Sequence, residues 1–246
     1  TNCAICGGSI LIGFDRPLKP EWIYATLKMI EPGENPSKYN LPFEDIAKEL
    51  VGKEGKRKAR TVIFRSFVYS FQEKRNIIEN NLILEWAKKY SLEQLRLLFL
   101  VKILMDYEIT RFITKKIRLS FDHTNQLSSS IISKKMIHEY GDRDVVKRSV
   151  RSFLKTLVHF KILEQTGTQK YHLMNKPSMS NEQVKNFLLL YSKVFLKSAM
   201  IDLSNIDSSL LYFFKEIDLK EVAKEYHSKE WEYIRDVNRN QLLLKR

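Results

Sequence analysis

Cysteine is almost missing from this chain of 246 residues: Cys3 and Cys6 stand near its start and none follows. That excludes a disulfide framework as what holds the fold, and makes a reducing, cytoplasmic compartment the expectation. Cys3-Ala-Ile-Cys6 is half of a zinc knuckle, but a tetrahedral site needs four ligands and no second pair follows. The plainer reading is a small-residue lead-in segment, 9–14, packed on the body. Glycine (8) and proline (6) are scarce, which disfavours a turn-rich all-β fold. Long apolar runs are also lacking. The longest, 97–101 and 187–191, fall far short of the ~18–20 residues that span a bilayer, so no membrane association is expected. Thr1-Asn2-Cys3 opens without a basic region and apolar core, so no signal peptide is read.

Acidic residues are outnumbered, 29 against 42 Lys and Arg, for a net charge of +13. Such an excess points to a polyanionic partner. The many Lys, Ile and Asn residues also fit an AT-rich genome, which raises charge without any partner. Catalytic patterns are missing as well. His123, His138, His159, His172 and His227 make no i, i+4 pair, and there is no P-loop, Gly-x-Ser-x-Gly or Gly-x-Gly-x-x-Gly. No cofactor and no metal is expected, and an enzyme would need a dispersed site.

What the chain does have is apolar content of 43% with 11% aromatics, ample for a core. The expected fold is mainly α: a helical domain, then a winged helix-turn-helix, then a C-terminal helical segment. The boundaries read as an irregular 1–40, a helical 41–120, a winged helix over 121–175 and a C-terminal extension over 176–246. Within 1–40, Pro17 and Pro20 precede a short helix over 21–30 that buries Trp22, Ile23 and Leu27. Pro42 opens a helix running through Ile46 and Leu50. Gly52 and Gly55 interrupt it before a basic cluster, Lys53, Lys56, Arg57, Lys58 and Arg60. That cluster leads into an amphipathic helix with Val62, Ile63, Phe67 and Phe71. Lys56, Arg57, Lys58 and Arg60 are a candidate second phosphate contact, against the plainer reading of a solvated helix end.

Ser91 and Gln94 form a capping box, opening one long helix toward Leu119. Asp106, Glu108 and Arg111 lie near one another on it, an exposed cluster worth only a few tenths of a kcal/mol. Ser180 caps a helix over 181–200, and 219–226 is a further helix. Residues 231–245 read as a terminal strand or hairpin turning at 238–240.

The stretch 129–173 organises the whole. Ser129 or Ser130 can cap a short helix, Gly141 stops it, and Asp142 or Asp144 flanks the start of a long one. In that second helix Val146, Val150, Phe153, Leu154, Leu157 and Val158 share one face. Lys147, Arg151 and Lys155 share another, with Arg143, Arg148 and Ser152 beside them. An apolar back with a basic front fits a major groove. A hairpin marked by Gly167 follows, and Lys170 on it would track the flanking backbone. The bland alternative is a solvated stripe or a protein-facing surface.

The order of these features resembles BrxA, a small non-enzymatic component of bacteriophage-exclusion (BREX) phage-defence systems. The residues that carry the resemblance are Gly7-Gly8-Ser9-Ile10, the basic lead into Arg65 and Phe67, the Leu-rich helix ending over 108–112, and the helix over 145–160 closing on Ile162-Leu163. It covers 7–175 and implies a helical domain joined to a winged helix, with DNA binding rather than catalysis. The expected function is therefore a non-catalytic, double-stranded-DNA-binding component that works with other defence-system proteins. The alternative is an adaptor whose winged helix docks on protein.

Overall fold

The structure, a computed structural model, describes residues 13–69, 76–121, 125–236 and 239–245. Cys3, Cys6, the Gly7-Gly8-Ser9-Ile10 stretch, Phe71, His123 and Asn238 lie outside them. The described chain is mostly helical with two small antiparallel sheets.

The first helix, α1 (Pro20–Met29), begins at a proline and buries Trp22, Ile23 and Leu27 as the spacing demands. A 3-10 turn (Pro36–Tyr39) leads into α2 (Asn40–Ile46), which stops at Ile46 rather than running through Leu50. Next is α3 (Lys53–Ile63). The basic cluster is therefore not a lead-in to a helix but its first two turns. Gly52, at φ +84°, supplies the left-handed corner before it, and Gly55 sits within the helix. A π-helical turn (Phe64–Val68) extends it.

Asn81 caps α4 (Leu82–Lys89), its side chain accepting from the N–H groups of Ile83 and Leu84. Ser91 and Gln94 form the expected capping box at the head of α5 (Leu92–Asp106). The long helix read from there to Leu119 is in fact two. Tyr107 is extended (φ −117°, ψ 103°) and separates α5 from α6 (Glu108–Arg118). The break is held from both sides. Thr110 Oγ1 donates to the Tyr107 carbonyl (2.6 Å), and Arg111 Nη1 donates to the carbonyls of Leu104 (2.7 Å) and Met105 (2.8 Å). Arg111 thus closes the end of α5, and its acid partner is Asp207 at 4.0 Å. Asp106 is buried and accepts from Lys102 Nζ at 2.5 Å, so the exposed acid–base cluster read from spacing does not form.

From there the chain makes β1 (Gln126–Ser128), α7 (Ser129–Tyr140), α8 (Asp144–His159), β2 (Leu163–Gly167) and β3 (Lys170–Leu173). The three strands form one antiparallel sheet in the order β1-β3-β2. Residues 126–128, near the start of the winged-helix stretch, are thus a paired strand. Gly141 stops α7 at φ +79°. Neither α7 nor α8 has a side-chain cap: Ser128 and Arg143 hold the cap positions without that bond. The hairpin turns at Thr168-Gln169, with Gln169 at φ +61°, while Gly167 is the last residue of β2 beside a bulge.

The capping box Ser180–Gln183 opens α9 (Asn181–Leu190), which gives way to a π-helical turn (Tyr191–Leu196) rather than continuing to Met200. Met200 belongs to β4 (Met200–Asp202). After α10 (Leu219–Glu225), β5 (Trp231–Arg235) and β6 (Asn240–Leu244) form the expected hairpin, and β4 joins it in the order β4-β6-β5. The C-terminal extension is thus part sheet, not helical throughout. Trp231, fully buried, donates from Nε1 to the Ala223 carbonyl (2.9 Å) and fixes that sheet on α10. Tyr107, Phe14, Phe153 and Phe213 pack in series. Phe14, the α5–α6 junction, α8 and the C-terminal part therefore share one core.

Candidate nucleic-acid interface

Helix α8 has three faces, and its sequence assigns each. Val146, Val150, Phe153, Leu154 and Leu157 are fully buried. A second face, Val145, Ser149, Ser152 and Thr156, is small and hydroxylated. Residues 13–19 lie against it and run parallel to the helix. The Phe14 N–H donates to Ser149 Oγ (2.8 Å) and the Leu18 N–H to Thr156 Oγ1 (3.0 Å). Both hydroxyls donate onward to carbonyls one turn back, those of Val145 (2.8 Å) and Ser152 (2.9 Å). Gly13 comes so near that a Cβ there would meet Val145 Cγ2 at 2.7 Å. Ser152, read as part of the basic front, is buried on this covered side.

The third face is what remains open: Arg148, Arg151 and Lys155, all exposed. No acid lies within ion-pair distance of these three among the described residues. The other two cations read on this helix are occupied. Arg143 donates from Nε and Nη2 to the Tyr140 carbonyl (3.0 and 2.8 Å), closing the end of α7. Lys147 pairs with Asp142 at 2.5 Å, and that hydrogen bond raises its pKa. Both hold the α7–α8 turn. Lys170 is exposed where β3 begins, next to Ser128 of β1.

The second basic cluster divides in the same way. Lys56 Nζ donates to the Glu44 carbonyl (3.1 Å). Arg60 donates to the Pro36 carbonyl (2.7 Å), lies 4.1 Å over the Phe64 ring and has its pKa pressed down by burial. These two sit one turn apart and tie α3 to the preceding segment. Arg57 and Lys58 point elsewhere. Arg57 chelates Glu54 (3.1 and 2.9 Å), and Lys58 has no hydrogen bond or ion pair among the described residues.

Two cations that sequence reasoning passed over lie beside α8. Lys19 pairs with Glu49 at 2.7 Å. His159, half-buried at the end of α8, has its pKa lowered first by burial and then by Lys19 and Lys155, which places both near it. Arg16 stands on the same segment. The signal was present: Asp15-Arg16-Pro17-Leu18-Lys19-Pro20 alternates buried Phe14, Leu18 and Pro20 with outward charge. No described helix is long and apolar enough to cross a membrane. Comparison with protein-family models, with curated proteins and with solved structures returned no match.

Proposed function

We propose that residues 108–173 form a winged helix and that the protein binds duplex DNA through it without catalysis. In this reading α6, α7 and α8 are its three helices, β1-β3-β2 its sheet, and the β2–β3 hairpin its wing. The observation that carries the reading is the open face of α8. The apolar and hydroxylated sides of that helix are covered, and the exposed stripe holds Arg148, Arg151 and Lys155, none within ion-pair distance of an acid among the described residues, with Asp144 the one exposed acid of the helix in register with them. An exposed helix face with unpaired guanidinium groups suits a major groove, where Arg can bond bidentately to guanine and to phosphates. Lys170 at the wing would contact the flanking backbone, and Arg57 and Lys58 would add a second contact. Arg143, Lys147, Lys56 and Arg60 hold the frame in place. The resemblance to BrxA makes phage defence in the bacterial cytoplasm the setting, with other defence proteins as partners.

Reversing charge in Arg151→Glu/Lys155→Glu tests the assignment. Binding to duplex DNA should be lost while the thermal melt stays at its wild-type position, since neither residue packs in the core. A folded double variant that binds as well as wild type would sink it.

A second reading, a protein-docking adaptor, is favoured by the C-terminal sheet. Met200, Leu243 and Ile234 stand on its outward face, each more than two-fifths exposed. Its signature would be a protein partner that stays bound through high salt.

A further inference from the structure

A helix seated in a major groove about 12 Å wide has a phosphate strand along each side. In this protein one side of α8 is not open solvent. It carries residues 13–19, held in place by the Ser149 and Thr156 hydroxyls. That segment therefore stands where a flanking phosphate strand would pass, beside the stripe Arg148, Arg151 and Lys155.

The segment is built to present charge there. Phe14, Leu18 and Pro20 point into the core, and Arg16 and Lys19 do not. Arg16 is half-buried, with its Nε enclosed and without a hydrogen-bond partner among the described residues. Its charge reaches Glu54, on the first turn of α3, whose carboxyl is held below its ordinary value by Arg57 first, then by Lys58 and Arg16. At the other end, Lys19 and Lys155 act together on His159. Cations thus follow one another from α8, across the segment, to Arg57 and Lys58. The acids along this path are Asp15, Glu21, Glu49 and Glu54. Lys19 is shared with Glu49 and Arg57 with Glu54, so Arg16 and Lys58 are the cations on the path without a paired acid among the described residues. Asp15 acts on buried Tyr107, and Glu21 borders the path near His159.

We propose that residues 13–19 are a phosphate rail: Arg16 and Lys19 track the strand that edges the groove holding α8, and pass the same duplex on to Arg57 and Lys58. This rests on the reading of α8 as the groove helix. It gives the protein a footprint wider than a winged helix alone, and gives the two basic regions of the sequence one ligand instead of two.

Duplex length separates the rail from the helix. Fluorescence anisotropy would compare duplexes of about 10 and 24 bp, one and more than two helical turns, at several salt concentrations. The proteins are wild type, Arg16→Glu/Lys58→Glu, and Arg148→Glu/Arg151→Glu/Lys155→Glu. The rail predicts that the Arg16/Lys58 variant binds the short duplex, which still carries the strand beside α8, several-fold more weakly than wild type does. On the long duplex it binds about tenfold to a hundredfold more weakly at low salt, with a log–log salt slope shallower by about 2. If the reversal disturbs the melt because Arg16 Nε is enclosed, Arg16→Gln/Lys58→Gln takes its place, with the same direction and a smaller loss. An Arg16/Lys58 variant that matches wild type on both duplexes, while the α8 variant has lost binding, overturns the rail alone. An α8 variant that still binds overturns the groove-helix reading and the rail with it.

Discussion

Lys161 carries a conformation that its side chain disfavours. It sits at φ +59° just past α8. There its N–H donates to the Val158 carbonyl (3.0 Å) and the Ile162 N–H to the Leu157 carbonyl (2.9 Å), the paired bonds of a Schellman stop. Glycine takes that position without the Cβ penalty. Lys161→Gly should therefore raise stability by about 0.5–1 kcal/mol in urea unfolding; a loss would show that Lys161 contributes something beyond the turn. Lys102 and Asp106 are the opposite case, a buried charge pair that burial opposes on both sides: it pushes the Asp106 carboxyl up and presses the Lys102 ammonium down. Lys102→Met alone should cost about 3–5 kcal/mol, because Asp106 must then stay buried without its partner or take up a proton, while Lys102→Met/Asp106→Leu should recover most of it. Equal losses in the single and double variants would mean that shape, not charge, decides the site. Glu49 adds a pH dependence. Bonds from Lys19 first, and also from Trp22, hold its carboxyl down at about 2, against an ordinary 4.5. A depressed carboxylate stabilises the fold above its unfolded value and loses that contribution as pH falls through its folded one. The stability gap between wild type and Glu49→Gln should thus shrink between pH 4.5 and pH 2. With Glu49 44% exposed, solvent limits the gap at neutral pH to about 1 kcal/mol.

Among the elements, α8 is the one on which most of the fold leans, and residues 13–19 are its least expected partner. Ser149→Ala leaves the Phe14 N–H enclosed without an acceptor. The expected cost is about 1–3 kcal/mol, with faster amide exchange at Phe14 than at Leu18. Unchanged exchange at both would mean that the hydroxyls do not hold the segment. How far such elements can be read from sequence follows from how local their causes are. Ser91–Gln94, Ser180 and Gly141 acted within a few residues, and each sits where the pattern put it. The apolar face of α8 was equally plain, because five residues in helical register have no other use. The break at Tyr107 was not legible. Helical spacing runs straight through it, and the side chains that hold it, Thr110 and Arg111, look like ordinary surface residues until the carbonyls of α5 are in place. The third strand of the C-terminal sheet was hidden for the same reason: β4 is three residues long and its partner β6 lies some forty residues on. Of the ten cations singled out, spacing could not separate the five that bond to their own fold's carbonyls and carboxylates, Arg143, Lys147, Lys56, Arg57 and Arg60, from those left for a ligand.

At the scale of the molecule, the net charge of +13 becomes a question of where unpaired charge gathers. Much of it is spent locally, in pairs such as Lys116–Glu139 and Lys88–Glu31. The stripe on α8, Lys170, Arg16 and Lys58 are where it is not. That distribution, rather than the total, distinguishes a nucleic-acid surface from a lysine-rich composition, and it makes salt the most informative variable. The measurement that bears most directly on this is an anisotropy titration of the wild-type protein against a ~24 bp duplex over a range of salt, since each neutralised phosphate contributes about −0.9 to the log–log slope. If Arg148, Arg151, Lys155 and Lys170 all meet phosphates, the slope should be about −4 or steeper. Binding absent even at low salt, or bound with a slope near zero, would contradict the account and turn the search to a protein partner.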